Sequence, residues 1–287
     1  MSTIAYLGTG LLGAALAQAA AQRGDTVTAW NRSADKVQAL AHFGVKPAAT
    51  AADAVRGAQR VHVVLKDDAV VDEVLAAAMP SLAPDTVVLD HTTTLPALTA
   101  ARAARLAAQG IAYLHCPVFM GPAAARSAQG TIMVAGPRHL FDRVQTALAA
   151  MTTRLEFMGE RSDLAAVNKL LGNAMIIGVS AAMADILTLA QASQVDPQEA
   201  VKLLGFLDLN GMVAGRGVNM ARANFEASFE LDMARKDVRL MLETAGGRPL
   251  AVLPSIAARM DHLIAAGHGA KDACVLGIDA VTRPPMP

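Results

Sequence analysis

The sequence is short of several things. Only 3% of its 287 residues are aromatic, one of them tryptophan, and only two are cysteine, Cys116 and Cys274. Two distant cysteines without metal-type spacing read most simply as free thiols in a reducing compartment. Excess charge is absent too: 25 basic residues balance 25 acidic ones. No basic field points to nucleic acid or an anionic membrane, so neither is an expected partner. Met1-Ser2 brings no basic n-region and the following apolar run is short, so no signal peptide is expected. The most membrane-like stretch, Leu170 to Ala184, contains Asn173 and falls short of the ~20 apolar residues of a span. It is expected to be a buried helix, and the protein is expected in the cytoplasm. Nucleophile elbow, P-loop and paired-carboxylate motifs are missing. His91 and His115 have no second ligand at a helical or turn spacing, so no metal site is expected.

What is present is apolar and ordered. The chain is 53% hydrophobic and 17% charged, enough to bury a sizeable core in two domains or one large one. Thr3 to Leu7 reads as a buried strand. Gly8-Thr9-Gly10-Leu11-Leu12-Gly13 follows at once, then an Ala-rich helix to Arg23 ended by Gly24, then a second strand, Thr26 to Trp30. Strand, G-x-G-x-x-G, helix and strand within about 30 residues is the dinucleotide-binding context. Gly8 allows the turn off the strand, Gly10 lets a pyrophosphate approach the backbone, and Gly13 lets the helix lie close. The helix N-terminus offers N–H groups and partial positive charge to phosphates.

The end of the second strand selects the cofactor. An acid there would take the ribose 2′-OH of NAD. Asn31-Arg32-Ser33 stands there instead, and a guanidinium suits a 2′-phosphate. NADP(H) is expected rather than NAD(H).

Strands and helices alternate onward. Helices are expected over Ala34–Phe43, Ala51–Arg56, Ala69–Ala78, Pro96–Gln109 and Leu140–Ala150. Strands are expected over Arg60–Leu65, Thr86–Leu89, Ile111–Leu114, Thr131–Ala135 and Arg154–Phe157. This is an α/β fold with a doubly wound, mostly parallel sheet, whose ligand lies beyond the carboxyl ends of the strands. Three segments should therefore meet at one crevice: Gly8–Gly13, Asp90–Thr94 and Pro117–Gly121, with Leu65 and Lys66 beside them. From Asp163 to Ser193 the pattern becomes one long helix. Helices follow at Pro197–Leu204, Asn210–Asn224, Glu230–Ala245, Leu250–Ala266 and Lys271–Val281. The expected division is a Rossmann domain over residues 1–162 and an all-helical domain over 163–287, joined by the long helix.

Lys169 and Asn173 lie four apart and share a face of that helix. A lysine among apolar residues carries a desolvation cost, and its lowered pKa would suit proton transfer. From the pattern alone, a lysine snorkelling to solvent reads equally well. Lys236-Asp237, on spacing alone, reads as a solvated helix face.

Taken in order, these motifs resemble the β-hydroxyacid dehydrogenases, the group of 3-hydroxyisobutyrate dehydrogenase and the glyoxylate/succinic semialdehyde reductases. The resemblance spans nearly the whole chain. It rests on Gly8–Gly13 with Asn31-Arg32-Ser33, on Asp90-His91-Thr92-Thr93-Thr94-Leu95-Pro96 and on Pro117-Val118-Phe119-Met120-Gly121. It also rests on Lys169-Leu170-Leu171-Gly172-Asn173 and on Lys236-Asp237-Val238. The resemblance implies hydride exchange between the nicotinamide and a carbinol or carbonyl carbon. It makes Lys169 the proton carrier and Asn173 its orienting partner, and it places Thr93 against both cofactor and substrate. Lys236 would stand by the nicotinamide, and Val118, Phe119, Met120 and Gly121 would form the substrate loop. It also implies a homodimer or homotetramer formed through the helical half.

Two departures stand out. Asp163 and Ala165 replace glycines that family members usually carry before the lysine. Phe119-Met120 replaces the usual Ser-Gly, which removes a hydroxyl donor and adds two bulky apolar side chains. A less polar or larger carbonyl substrate is therefore open. Imine reductases look similar at the cofactor end, but they usually carry Asp or Tyr where this chain has Lys169. A non-catalytic NADP-binding protein would have no need of that lysine.

Overall fold

The computed structural model describes residues 2–282; the outer ends of the two expected domains, residues 1 and 287, lie outside them. Backbone packing divides the chain into two compact units, Met1–Asn173 and Ala174–Pro287.

The first unit is built on a nine-stranded sheet. β1 (Thr3–Leu7), β2 (Thr26–Trp30), β3 (Lys46–Pro47), β4 (Arg60–Val63), β5 (Val87–Asp90) and β6 (Ala112–His115) run parallel in the order β3-β2-β1-β4-β5-β6. β7 (Val118–Phe119) and β8 (Thr131–Ala135) continue the sheet, with β8 antiparallel to both β6 and β7, and β9 (Arg154–Gly159) pairs parallel to β8. The expected mostly parallel, doubly wound sheet is what the chain forms.

The period of two sorts the strand residues onto two faces. Ile4, Tyr6, Val27, Ala29 and Leu89 join one core, with α1 (Leu11–Gln22) and α7 (Arg138–Ala149). Ala5, Leu7, Val61, Val63 and Val88 join the other, with α3 (Ala51–Val55), α4 (Asp68–Ala78) and α5 (Pro96–Ala108). Burial on both faces is why these strands read as unbroken apolar runs. The chain winds one way from β1 to β2 and the other way to β4. That switch point leaves a crevice at the carboxyl ends of β1 and β4.

Several boundaries move from expectation. The helix expected over Ala34–Phe43 breaks into α2 (Ala34–Gln38) and a 3₁₀ turn at Ala41–Phe43, closed by Gly44 at φ +86°. Val118–Phe119, expected as loop, is strand because it pairs with Ile132 and Thr131; α6 (Pro122–Arg126) follows it. Lys46–Pro47 is a short edge strand on β2.

α8 (Leu164–Ala192) starts in the first unit and ends in the second. It corrects the expectation of a buried helix: Leu171 is 64% exposed and Ile177 67% exposed. It also corrects the length argument, because the whole helix is long and apolar enough to cross a membrane by composition alone. An apolar pattern on every side of a helix does not say whether its cover comes from the same chain.

The second unit continues with α9 (Pro197–Lys202), α10 (Leu209–Ala221), α11 (Leu231–Ala245), α12 (Leu253–Leu263) and α13 (Ile278–Thr282). The helix expected at Leu250–Ala266 begins at Leu253, with Pro254 in its first turn, and runs into a π turn at Ile264–His268. The stretch Lys271–Val281 is a 3₁₀ turn, Ala273–Gly277, and then α13. Its core gathers Leu231, Val238, Met260, Leu263 and Val275. Buried Asp185 on α8 accepts from the N–H groups of Val252 and Leu253 at 3.0 and 2.9 Å, capping α12. Asp272 accepts from Ser228 N and Phe229 N at 2.9 and 3.0 Å and from Cys274 N at 2.9 Å. These bonds hold its carboxyl far below the ordinary range, against the opposing effect of burial.

Candidate active site

A cleft of about 500 Å³ opens at the switch point. Gly8, leaving β1, takes φ +99°, and its N–H donates to the Trp30 carbonyl at 2.8 Å. A Cβ on Gly8 would strike the Val64 carbonyl, and one on Gly13 would strike the Gly8 carbonyl. Among the described residues, nothing lies within 4 Å of where a Cβ on Gly10 would stand. So two glycines bring the strand, loop and helix together, while the third leaves space open for a ligand. No side chain caps α1 at Gly10, so the N–H groups of Leu11, Leu12 and Gly13 have no acceptor in the helix. Asn31 braces this loop by accepting from Thr9 N at 3.0 Å, while its Nδ2 donates to the Ser33 carbonyl at 3.1 Å. The Thr9 hydroxyl is buried without a partner among the described residues.

Arg32 is exposed at the rim. Its Nη2 reaches both Glu73 oxygens, at 3.3 and 3.1 Å. Leu65 and Lys66, after β4, form another wall with Thr93. Thr92 fastens the two loops: its hydroxyl accepts from Leu65 N at 3.1 Å and its N–H donates to Asp90 at 2.9 Å. That leaves Thr93 exposed on the cleft wall. Gly8, Gly10, Leu11, Leu12, Gly13, Asn31, Arg32, Ser33, Leu65, Lys66 and Thr93 all line this one cleft.

Trp30, Lys36, Val64, Val70, Val74, His91 and Thr92 also line it and were not singled out as cofactor residues. Lys36 adds a second cation near Arg32. A basic residue four positions after Arg32 was the available signal; Val70 and Val74 needed the placement of α4.

A buried polar row lies under the cleft. His91 Nδ1 stands 2.7 Å from the Cys116 carbonyl and His91 Nε2 stands 2.9 Å from His62 Nδ1. Burial pushes the pKa of both imidazoles, and that of His115, below the ordinary value. With both rings neutral, His91 Nδ1–H donates to Cys116, and His62 Nδ1–H donates to His91 Nε2.

The third expected segment follows β6. Val118, Phe119, Met120 and Gly121 do not line this cleft; Val118 and Phe119 continue from the carboxyl end of β6 and pair with β8 in the register that His115 begins. They meet the first turns of α8. Lys169 Nζ donates to the Val118 carbonyl at 2.7 Å and stands 4.1 Å from the centroid of the Phe119 ring. Burial alone lowers the Lys169 pKa. Among the described residues, no carboxylate pairs with it. Asn173, one turn further, is half-buried. Met120 is half-buried and packs against the main core. Gly121 is exposed at the start of α6. Lys236, in the second unit on α11, is exposed with Nζ 2.9 Å from Asp237.

Residues 3–159 match the family described as the NAD-binding domain of 6-phosphogluconate dehydrogenase. The chain belongs to this family. It is a dehydrogenase or reductase of the β-hydroxyacid dehydrogenase group, whose domain binds a nicotinamide cofactor. The chain is 27% identical over 286 residues to 3-sulfolactaldehyde reductase of Escherichia coli, covering 95% of this chain and 93% of that protein. It is 27% identical over 276 residues to L-threonate dehydrogenase of Cupriavidus necator, covering 94% and 93%. The fold superposes on a reductive aminase of Aspergillus terreus in complex with NADPH and ethyl levulinate, with a TM-score of 0.89. That alignment has 23% identity and covers 99% of this chain and 100% of the other. A likeness at that identity establishes the fold.

Proposed function

We propose that the protein is an NADP(H)-dependent reductase that interconverts a 3-hydroxy acid and its semialdehyde, or a compound like them, with Lys169 as general acid and base. The observation that carries this reading is Lys169 itself. It is half-buried, without a carboxylate partner among the described residues, and its pKa is lowered toward the range useful for proton transfer. When bound, the nicotinamide supplies or accepts the hydride at the reacting carbon. The α1 N-terminus holds the pyrophosphate through the N–H groups around Gly10 to Gly13. Arg32, with Lys36 and Ser33, meets the 2′-phosphate, for which Arg32 must share or leave Glu73. Thr93 bridges cofactor and substrate. In reduction Lys169 gives its proton to the new alkoxide oxygen, and in oxidation it takes that proton back. Asn173 orients lysine or substrate.

A second reading is an imine or ketone reductase. Phe119 in place of a hydroxyl residue favours it, because the loop loses a donor for a carboxylate. The presence of Lys169 counts against a non-catalytic role.

The exposed apolar face of α8 is proposed to be covered by a second copy of the chain, giving a homodimer or homotetramer. Asp185 on this helix is committed to capping α12, which fits packing among helices rather than a lipid environment. Light scattering that returned a monomer would overturn this. The cytoplasm is the proposed location, supported by two free, buried cysteines; fractionation tests it.

The test of function is NADPH and NADH oxidation against succinic semialdehyde, glyoxylate, tartronate semialdehyde, an aryl ketone and a cyclic imine, with Lys169→Ala alongside. Lys169-dependent turnover of the semialdehydes supports the first reading. Turnover confined to the ketone or imine replaces it with the second.

A further inference from the structure

Phe119 departs from the family pattern, yet its ring is not loose in a pocket. One side of it packs on the cluster of Met133, Met158, Leu164 and Ala165. The Lys169 ammonium stands 4.1 Å from the ring centroid. The backbone residue before the ring, Val118, accepts from the same ammonium at 2.7 Å. So β7 grips Nζ twice, once through a carbonyl and once through a π face.

One turn of α8 completes the arrangement. A Cβ on Gly172 would overlap the ring tip and lie 2.9 and 3.0 Å from Cε1 and Cε2. The aromatic ring therefore requires glycine there. On the other edge, Gly130 at φ +96° leaves no room for a Cβ against the Met120 Cβ, 2.8 Å away. The segment is fixed from both sides, so the ring has one place to be.

We propose that Phe119 is the positioning residue for Lys169: its ring holds the ammonium in place of a carboxylate, and Gly172 is the space that admits the ring. This rests on Lys169 being the proton carrier only for its kinetic readout; the contact can be tested without turnover.

The physics gives a sign. Burial disfavours the charged lysine, and a π face favours it. Among the described residues, no other charged group offsets that burial. Asp163, just before α8, is paired to Arg161 at 2.6 Å. β9 carries Arg154 and Glu156, paired to each other at 2.6 Å. β8 carries no ionisable side chain. Removing the ring while keeping apolar bulk therefore leaves the ammonium desolvated and less supported, so its pKa falls.

The experiment compares wild type with Phe119→Leu, Phe119→Tyr and Gly172→Ala. The first readout is the Lys169 titration by NMR after reductive ¹³C-methylation of lysines, with no substrate present. The second is the pH profile of NADPH-driven reduction, which falls above the pKa of the proton-donating lysine. Phe119→Leu should move both to lower pH by roughly half to one and a half units. Phe119→Tyr should restore them, and Gly172→Ala should mimic the loss because it displaces the ring. NADPH affinity should stay the same in all. Coincident titrations for wild type and Phe119→Leu would overturn the proposal, as would a Tyr variant that fails to restore a shifted one. If Phe119→Leu does not fold, the Gly172→Ala and Phe119→Tyr titrations decide alone. An absence of reduction in wild type would sink the proposed function and leave the NMR test standing.

Discussion

The cofactor cleft and the Lys169 corner lie in the same unit but are built from different materials. The cleft is made by backbone: a φ that only glycine takes easily, an uncapped helix end and a missing Cβ at Gly10. The Lys169 corner is made by side chains: an ammonium, an aromatic ring and a glycine that yields space to it. Backbone sites tolerate changes in their surroundings and not in their glycines. Side-chain sites can be re-cut by one substitution.

The sharpest way to separate the two is Lys169→Ala. It should lower kcat by about 10²- to 10⁴-fold and leave NADPH affinity, read by fluorescence titration, unchanged. Equal losses in both would merge the sites. Gly8→Ala should do the opposite. Its strained φ and the clash with Val64 should cost about 2 kcal/mol or more of stability in urea unfolding, together with loss of NADPH binding. A wild-type unfolding curve would contradict the backbone account. Arg32→Ala should weaken NADPH by roughly 10- to 100-fold and leave NADH nearly unchanged; equal weakening of both would remove the 2′-phosphate from the argument.

The smallest effect concerns the buried histidines under the cleft. Their pKa values are depressed in the folded state, so the unfolded chain binds more protons once pH falls below the ordinary value near 6.5. Stability is then full above that value. It declines with acidification toward the folded-state values, by up to about 1.4 kcal/mol per pH unit for each histidine. His62→Phe should flatten the urea midpoint between pH 6.5 and 5. An unchanged slope would mean that His62 is not the proton acceptor there.

The difference between the two regions also explains what could be read in advance. The places of Gly8, Gly10, Gly13 and Arg32 on the cleft were legible because they follow from backbone geometry at fixed spacing between two strands. Lys36, Val70 and Val74 were not, since their place on the cleft depends on how α2 and α4 lie against the sheet. The Pro117–Gly121 segment was expected at the crevice. Its antiparallel pairing with β8, which carries on from that of β6, depends on residues a dozen positions away, so its strand character was not visible in the segment itself. The exposure of Leu171 and Ile177 was hidden for another reason: sequence shows that a helix is apolar, not which chain covers it.

The most direct test of the account is isotopic. Reduction of succinic semialdehyde with NADPH deuterated at both C4 positions should give a hydroxy acid carrying one deuterium at the carbinol carbon, with the rate falling sharply in Lys169→Ala and the label unchanged. A product without deuterium, or formation that does not depend on Lys169, would contradict hydride transfer assisted by this lysine.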